Sequence, residues 1–201
     1  MRIVLYGGSF NPPHLGHLHA ARAAEEALQP DLFLVVPDRV PPHKELAENS
    51  PSPEERMEMC KIAFRSLPSA EISNIELERI GKSYTADTVA DMRKRFPADE
   101  LVLVIGSDML LSFRQWYNYR YILSECTLAV AERENGEADD LEKAADVLRR
   151  EDHARIIRLI YKPYPASSTD IREDLASGKC PVGLDAEVYR YIRENRLYFA
   201  G

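Results

Sequence analysis

Short apolar runs recur along the chain at residues 3–6, 32–36, 71–75, 101–105, 128–131 and 156–160. Most are rich in Val, Ile and Leu and do not alternate strictly with polar residues, the pattern of strands buried on both faces of a parallel sheet. The stretches between them carry helical periodicity. Residues 17–28 predict one helix. Residues 53–65 predict a second, with Ser52 as N-cap, Pro53 at the first helical position and Glu55 completing a capping box. Residues 85–96 place Val89, Met92 and Phe96 on one face, and 141–150 predict a further amphipathic helix. Strand and helix in alternation imply an α/β fold, a doubly wound parallel sheet with helices on both faces. Such sheets bind ligands beyond the carboxyl ends of their strands, where the strand order switches. The loops after Tyr6, Val36 and Ile105 are therefore where chemistry is expected.

Beyond Ile160 the rhythm changes. Residues 169–176 and 185–194 predict two helices, and no strand clearly follows. We expect a single domain over 1–201, with 161–201 as a helical C-terminal cap. The acidic, Gly-containing stretch 132–140 reads as an exposed loop.

Composition narrows the partners. At 201 residues the chain has room for one α/β domain with a sizeable core. Its formal net charge of -7 argues against general nucleic-acid binding, which needs a basic face. A nucleotide site, needing only a few local cations and backbone donors, stays open. No apolar run approaches the roughly 20 residues of a membrane helix, and the N-terminus does not read as a signal peptide. Cys60, Cys126 and Cys180 are odd in number and far apart, which fits a reducing cytoplasm and small buried thiols. Oligomeric state is open, and a homo-oligomer is compatible with the sequence.

The first apolar run leads into Gly7-Gly8-Ser9-Phe10-Asn11-Pro12-Pro13-His14-Leu15-Gly16-His17. Two glycines let the backbone turn and approach a ligand closely, and free N–H groups there can face phosphate oxygens. His14 and His17 share a face if a helix begins near Pro13, where its N-terminus adds partial positive charge. Gly16 between them removes a side chain that would block access. Two imidazoles so placed can donate hydrogen bonds to a triphosphate and to the charge that builds as pyrophosphate leaves. A metal site built from the pair has no H-E-x-x-H pattern and no third ligand nearby, and purely structural histidines are the other alternative. His19 points elsewhere on the helix and reads as structural. The P-loop pattern is missing, because Glu76 stands where its first glycine belongs ahead of Gly81-Lys82-Ser83, and no G-x-G-x-x-G follows the first strand.

These residues resemble the nucleotidyltransferase superfamily marked by [HT]-x-G-H, and more narrowly the bacterial nicotinate-nucleotide adenylyltransferases. The second superfamily mark appears as Ser167-Ser168-Thr169-Asp170-Ile171-Arg172. Further matches are Pro41-Pro42-His43-Lys44, Ser83-Tyr84-Thr85-Ala86-Asp87-Thr88, and Gly106-Ser107-Asp108 with Trp116 downstream. The resemblance spans nearly the whole chain and implies a Rossmann-like nucleotidyltransferase fold. It implies transfer of AMP from ATP to nicotinate mononucleotide, with Mg2+ bound mainly through the ATP phosphates and few direct protein ligands. It gives His14, His17 and Arg172 catalytic roles. Gly7, Gly8, Ser9, Phe10, Gly106, Asp108, Ser168 and Thr169 would bind ATP with His17 and Arg172. Lys44, Tyr84, Thr85 and Trp116 would recognise the acceptor. An Asp108 that merely caps the next helix, a solvated Lys44 and a packing Trp116 are the competing readings. Where the family tends to show Arg-Pro-Gly, this chain has Arg133-Glu134-Asn135-Gly136, so Arg133 is carried over as a phosphate contact. Ala166 stands where the family usually has Ile. Nicotinamide mononucleotide or another phosphate acceptor, and a nucleotide-binding regulator without turnover, remain alternatives. The Pro-rich, polar stretch 38–52 is expected to move when substrate binds.

Overall fold

In a computed structural model, residues 1–42, 45–132 and 138–199 are described. Among them six strands form one sheet in the order β3-β2-β1-β4-β5-β6. The strands are β1 (Arg2–Gly8), β2 (Leu32–Pro37), β3 (Ala70–Ile72), β4 (Glu100–Gly106), β5 (Cys126–Ala131) and β6 (Ile156–Leu159). Every neighbouring pair is parallel, with Tyr6 beside both Val35 and Val104 at the centre. The order reverses between β1 and β4, so the loops leaving those two strands open a crevice at the switch point.

Side chains along the central strands alternate between two apolar layers. Ile3, Leu5, Leu101 and Leu103 face a layer completed by α3 (Thr85–Arg95), α5 (Tyr119–Glu125) and α6 (Ala138–Asp152). Val4, Tyr6, Val102 and Val104 face the other, completed by α1 (Leu15–Leu28) and α2 (Pro53–Ala63). The C-terminal helices α7 (Ser168–Ala176) and α8 (Ala186–Glu194) join this second layer through Ile171, Leu175, Val188 and Ile192.

Local signals set most boundaries. Ser52 accepts from the Glu55 backbone N–H while the Glu55 carboxylate accepts from that of Ser52, the reciprocal cap expected before Pro53. Asp185 and Ser167 lie outside their helices as N-caps. The third strand is shorter than its apolar run suggests: it pairs with β2 only at Ala70, Glu71 and Ile72. Between β4 and β5 the chain forms a short helix, α4 (Ser107–Leu111), a 3-10 turn (Phe113–Gln115) and α5, where no helix was expected. Of the three thiols, Cys60 and Cys126 are buried, but Cys180 is exposed, contrary to the expectation of three buried side chains. Burial pushes the Cys126 thiol up to about 12 and that of Cys60 well above its ordinary value, so both stay protonated near neutral pH.

Candidate active site

A cleft of about 770 Å³ opens beyond the carboxyl ends of β1, β2 and β4, a volume typical of small-molecule sites. Residues from the loops after all three strands line it, together with the start of α1, the start of α3 and the segment leading into α7.

Helix α1 begins at Leu15, not near Pro13, so His14 stands before it as the N-cap with extended backbone. The two histidines therefore do not meet as successive residues of one helical face. They meet through a capping box: the His17 N–H donates to His14 Nδ1 at 3.4 Å, and the His14 N–H donates to His17 Nδ1 at 3.2 Å. The rings stack with centroids 3.7 Å apart. Both Nδ1 atoms accept, so the proton of each neutral imidazole sits on Nε2. The cap thereby turns two neutral histidines into adjacent Nε2–H donors. Gly16 is required by this packing. A Cβ there would come within 2.9 Å of His14 Cε1 and 3.2 Å of the Tyr164 carbonyl oxygen. Phe10, at a positive φ of 45°, sets its ring edge-on to His17 and beneath Gly8. His19, away from the cleft, packs edge-on against Tyr164.

The Ser167–Arg172 motif closes onto the same loop. Ser168 Oγ donates to the Pro12 carbonyl at 3.0 Å, and Arg172 Nη1 donates to the Asn11 carbonyl at 2.7 Å. Arg172 lies in the second turn of α7, and Nη2 reaches back to Thr169 Oγ1 at 3.3 Å. A guanidinium has five N–H donors, so these bonds leave it capacity toward an anion. Ser168 and Arg172 line the cleft with His14 and His17; Thr169 is not among the lining residues.

Across the switch point, Gly106 ends β4 and Asp108 lies in the first turn of α4. Asp108 makes no side-chain cap; its carboxylate folds back so closely that a Cβ on Gly106 would meet Oδ1 at 2.5 Å. Both residues line the cleft, as do Gly7, Gly8, Ser9 and Phe10. At the far end are Thr85, opening α3, and Trp116, whose ring packs 5.0 Å from Phe113. Tyr84 does not line the cleft; its ring packs against Tyr117 at 4.7 Å. Lys44 and Arg133 lie outside the described residues.

Some residues that shape the cleft carried no motif. Arg56 on α2 is wholly buried and donates to the carbonyls of Ser9, Asp38 and Arg39 and, at 3.0 Å, to the Asp38 carboxylate. Ser9 Oγ donates to the other Asp38 oxygen at 2.6 Å. A cation fully inside the protein thus ties the first loop to the second. Asn11 is bound by the Tyr198 hydroxyl at 2.7 Å, so the end of the chain also reaches this loop. Glu76 lines the cleft, accepts from Thr88 Oγ1 at 2.5 Å and lies 3.8 Å from Arg79. Burial raises its carboxyl to about 7; the Thr88 hydroxyl and the Arg79 guanidinium oppose the rise without cancelling it. Ser83, also bonded to Glu76, accepts from the Arg39 and Val40 N–H groups. Lys162 brings a cation to the α7 side of the cleft. An isolated Arg, Glu or Lys has no spacing to betray it; each matters here because of what folds around it.

Comparison with known proteins bears on this geometry. The profile of the cytidylyltransferase-like family matches residues 5–174. A Geobacter metallireducens protein described as "Probable nicotinate-nucleotide adenylyltransferase" is 35% identical, with 98% of each chain covered. A Listeria innocua protein of the same description is 33% identical, over 98% of this chain and 97% of that one. The chain belongs to this family, among its nicotinate-nucleotide adenylyltransferases. The fold is also that of Plasmodium falciparum nicotinic acid mononucleotide adenylyltransferase complexed with NaAD. That structure matches with a TM-score of 0.78 at 19% identity, covering 98% of this chain and 97% of that one. The same enzyme complexed with APC matches with an equal TM-score at 18% identity, over 98% and 96%. The Gly7–His17 and Ser167–Arg172 segments, which carried the resemblance in the sequence, both reach the cleft.

Proposed function

We propose that this protein transfers AMP from ATP to nicotinate mononucleotide, releasing pyrophosphate and nicotinate adenine dinucleotide. The observation that carries this reading is the meeting, in one cleft, of the stacked His14–His17 pair with Ser168 and Arg172 from the far end of the chain. Relatives named for this reaction align over almost their full length.

In the reaction, an oxygen of the acceptor's 5′-phosphate attacks the α-phosphorus of ATP in line. The bond from that phosphorus to the bridging oxygen breaks, and pyrophosphate leaves with the electron pair. The acceptor oxygen is already anionic, so no enzyme nucleophile is needed, and the protein's task is positioning and charge stabilisation. The Nε2–H groups of His14 and His17 and the Arg172 guanidinium would stabilise charge on the departing phosphates. The backbone of Gly7, Gly8, Ser9 and Phe10, with Gly106, Asp108, Ser168, Thr169 and Arg133, would hold ATP. Lys44, Tyr84, Thr85 and Trp116 would recognise the acceptor, with Tyr84 acting through its contact with Tyr117.

Among the described residues no group of three or more His, Cys, Asp or Glu side chains could cage a metal ion. A Mg2+ ion would take its ligands chiefly from the triphosphate and water. When bound it would neutralise phosphate charge.

We treat residues 1–201 as one domain with 161–201 as its helical C-terminal subdomain, because α7 and α8 share a core layer with β1 and β4. No helix among the described residues is long and apolar enough to cross a membrane. A cytoplasmic setting fits three unpaired thiols.

The test is pyrophosphate release with ATP and Mg2+, comparing nicotinate and nicotinamide mononucleotides at matched concentrations. A strong preference for the acid supports the reading. Equal rates would retain adenylyl transfer and remove acid selectivity, and no release with either would overturn the proposal. In the same assay Trp116→Ala should raise the acceptor KM and leave that for ATP nearly unchanged; an effect confined to ATP would remove Trp116 from the acceptor site.

A further inference from the structure

Trp116 sits at a bend between the 3-10 turn and α5. The Trp116 N–H donates to the Phe113 carbonyl and the Tyr119 N–H to that of Trp116. Between them Asn118 takes a left-handed φ of 50°, uncommon for a residue other than glycine. A side chain from outside the segment can fix the geometry of such a bend.

Asp152, the last residue of α6, supplies one. Its side chain is only 2% exposed and does not line the cleft. Oδ2 accepts from Arg114 Nε at 2.9 Å and Nη2 at 2.6 Å, just before Trp116 in the chain. Oδ1 accepts from the Tyr119 hydroxyl at 3.2 Å and lies 3.4 Å from Arg120 Nε, just after it. One buried carboxylate thus grips both flanks of the bend with separate oxygens. Glu151 adds only a contact to Arg114, at 2.5 Å. Elsewhere on α6, Lys143 pairs with Asp140 of the same helix and Glu142 pairs with Arg158 of β6; neither pair involves the bend.

We propose that Asp152 is a positioning residue for acceptor selection, clamping the Phe113–Tyr119 bend so that Trp116 presents one fixed face to the cleft. This rests on the reading of Trp116 as an acceptor contact. It assigns the segment's order to a charge on the neighbouring helix rather than to apolar packing alone. A preorganised contact lowers the cost of binding the acceptor and leaves ATP, held at the other end of the cleft, largely untouched.

Trp116 is the sole tryptophan, so its fluorescence reports on the bend without any substrate. In Asp152→Ala, acrylamide quenching of Trp116 should rise roughly twofold or more with far-UV circular dichroism unchanged. The KM for nicotinate mononucleotide should rise about tenfold, with kcat and the KM for ATP within about twofold. Tyr119→Phe, which removes one hydroxyl and keeps the ring, should move both readouts in the same direction by less, and it serves as the test if Asp152→Ala does not fold. Unchanged quenching in a folded variant overturns the clamp. Raised quenching with an unaltered acceptor KM overturns the role in acceptor selection, whereas activity that is absent in the parent protein too would instead overturn the adenylyltransfer reading.

Discussion

His14 and His17 each spend a lone pair on the other's backbone N–H, so what they offer a ligand is an Nε2–H edge. That favours hydrogen-bond donation over metal binding, since a metal ligand needs a free lone pair. Removing one donor by His17→Ala should reduce kcat by roughly 10²-fold or more, measured as pyrophosphate release; near-normal turnover would refute the role. Glu76 makes a different prediction. Its carboxyl is neutral in folded and unfolded chains well below 4.5, the ordinary value. Between there and about 7 the folded chain keeps a proton that the unfolded chain releases. Stability should therefore fall as pH rises through that window and level off above it. The shift corresponds to at most roughly 3 kcal/mol. Glu76→Gln should remove the slope and stabilise the protein on the alkaline side, as read by urea titrations on both sides of the window. An unchanged slope would show that Glu76 does not titrate there.

Helix α1 shows how an element can be built for its end rather than its middle. Its apolar face was plain from periodicity, but its first residue, Leu15, is set by the His14–His17 cap. Gly16→Ala separates stability from function. Replacing a helical glycine gains about 1 kcal/mol, while losing a cap costs about the same. The new Cβ would displace the His14 ring, which it would otherwise approach to 2.9 Å. The melting temperature should change little and kcat should fall; a variant with both intact would contradict the packing argument. The connection between β4 and β5 is the opposite case. Its helices are short, and α4 spans only five residues, too few for periodicity to register. They hold because Leu110, Phe113, Ile122 and Leu123 bury against the sheet.

At the scale of the molecule, the cleft is a junction of distant segments. Arg56 joins the loops after β1 and β2 from inside the core, and Arg172, Ser168 and Tyr198 bring the C-terminal layer onto Asn11 and Pro12. Arg56→Ala would leave Asp38 buried without its cation. Loss of one partner from such a pair costs roughly 3–5 kcal/mol. Chemical denaturation should show a loss on that scale; less than about 1 kcal/mol would mean water relieves the charge.

The parallel sheet was legible because a strand buried on both faces must be apolar throughout, and such runs mark themselves at 3–6, 32–36 and 101–105. The two histidines and the Gly16 between them were legible as a compact run of residues after the first strand, and the Ser167–Arg172 segment through its resemblance to a family motif. Ser52 and Glu55 were legible because a cap is a local hydrogen-bond pattern. What only the tertiary structure decided was where single residues without local pattern are spent. Arg56, Glu76 and Asp152 look like ordinary surface charges in the sequence. Arg56 and Asp152 act through partners far along the chain and Glu76 through Arg79, Ser83 and Thr88 in the segment that follows it; a buried charge is stable only where such partners have been brought to it.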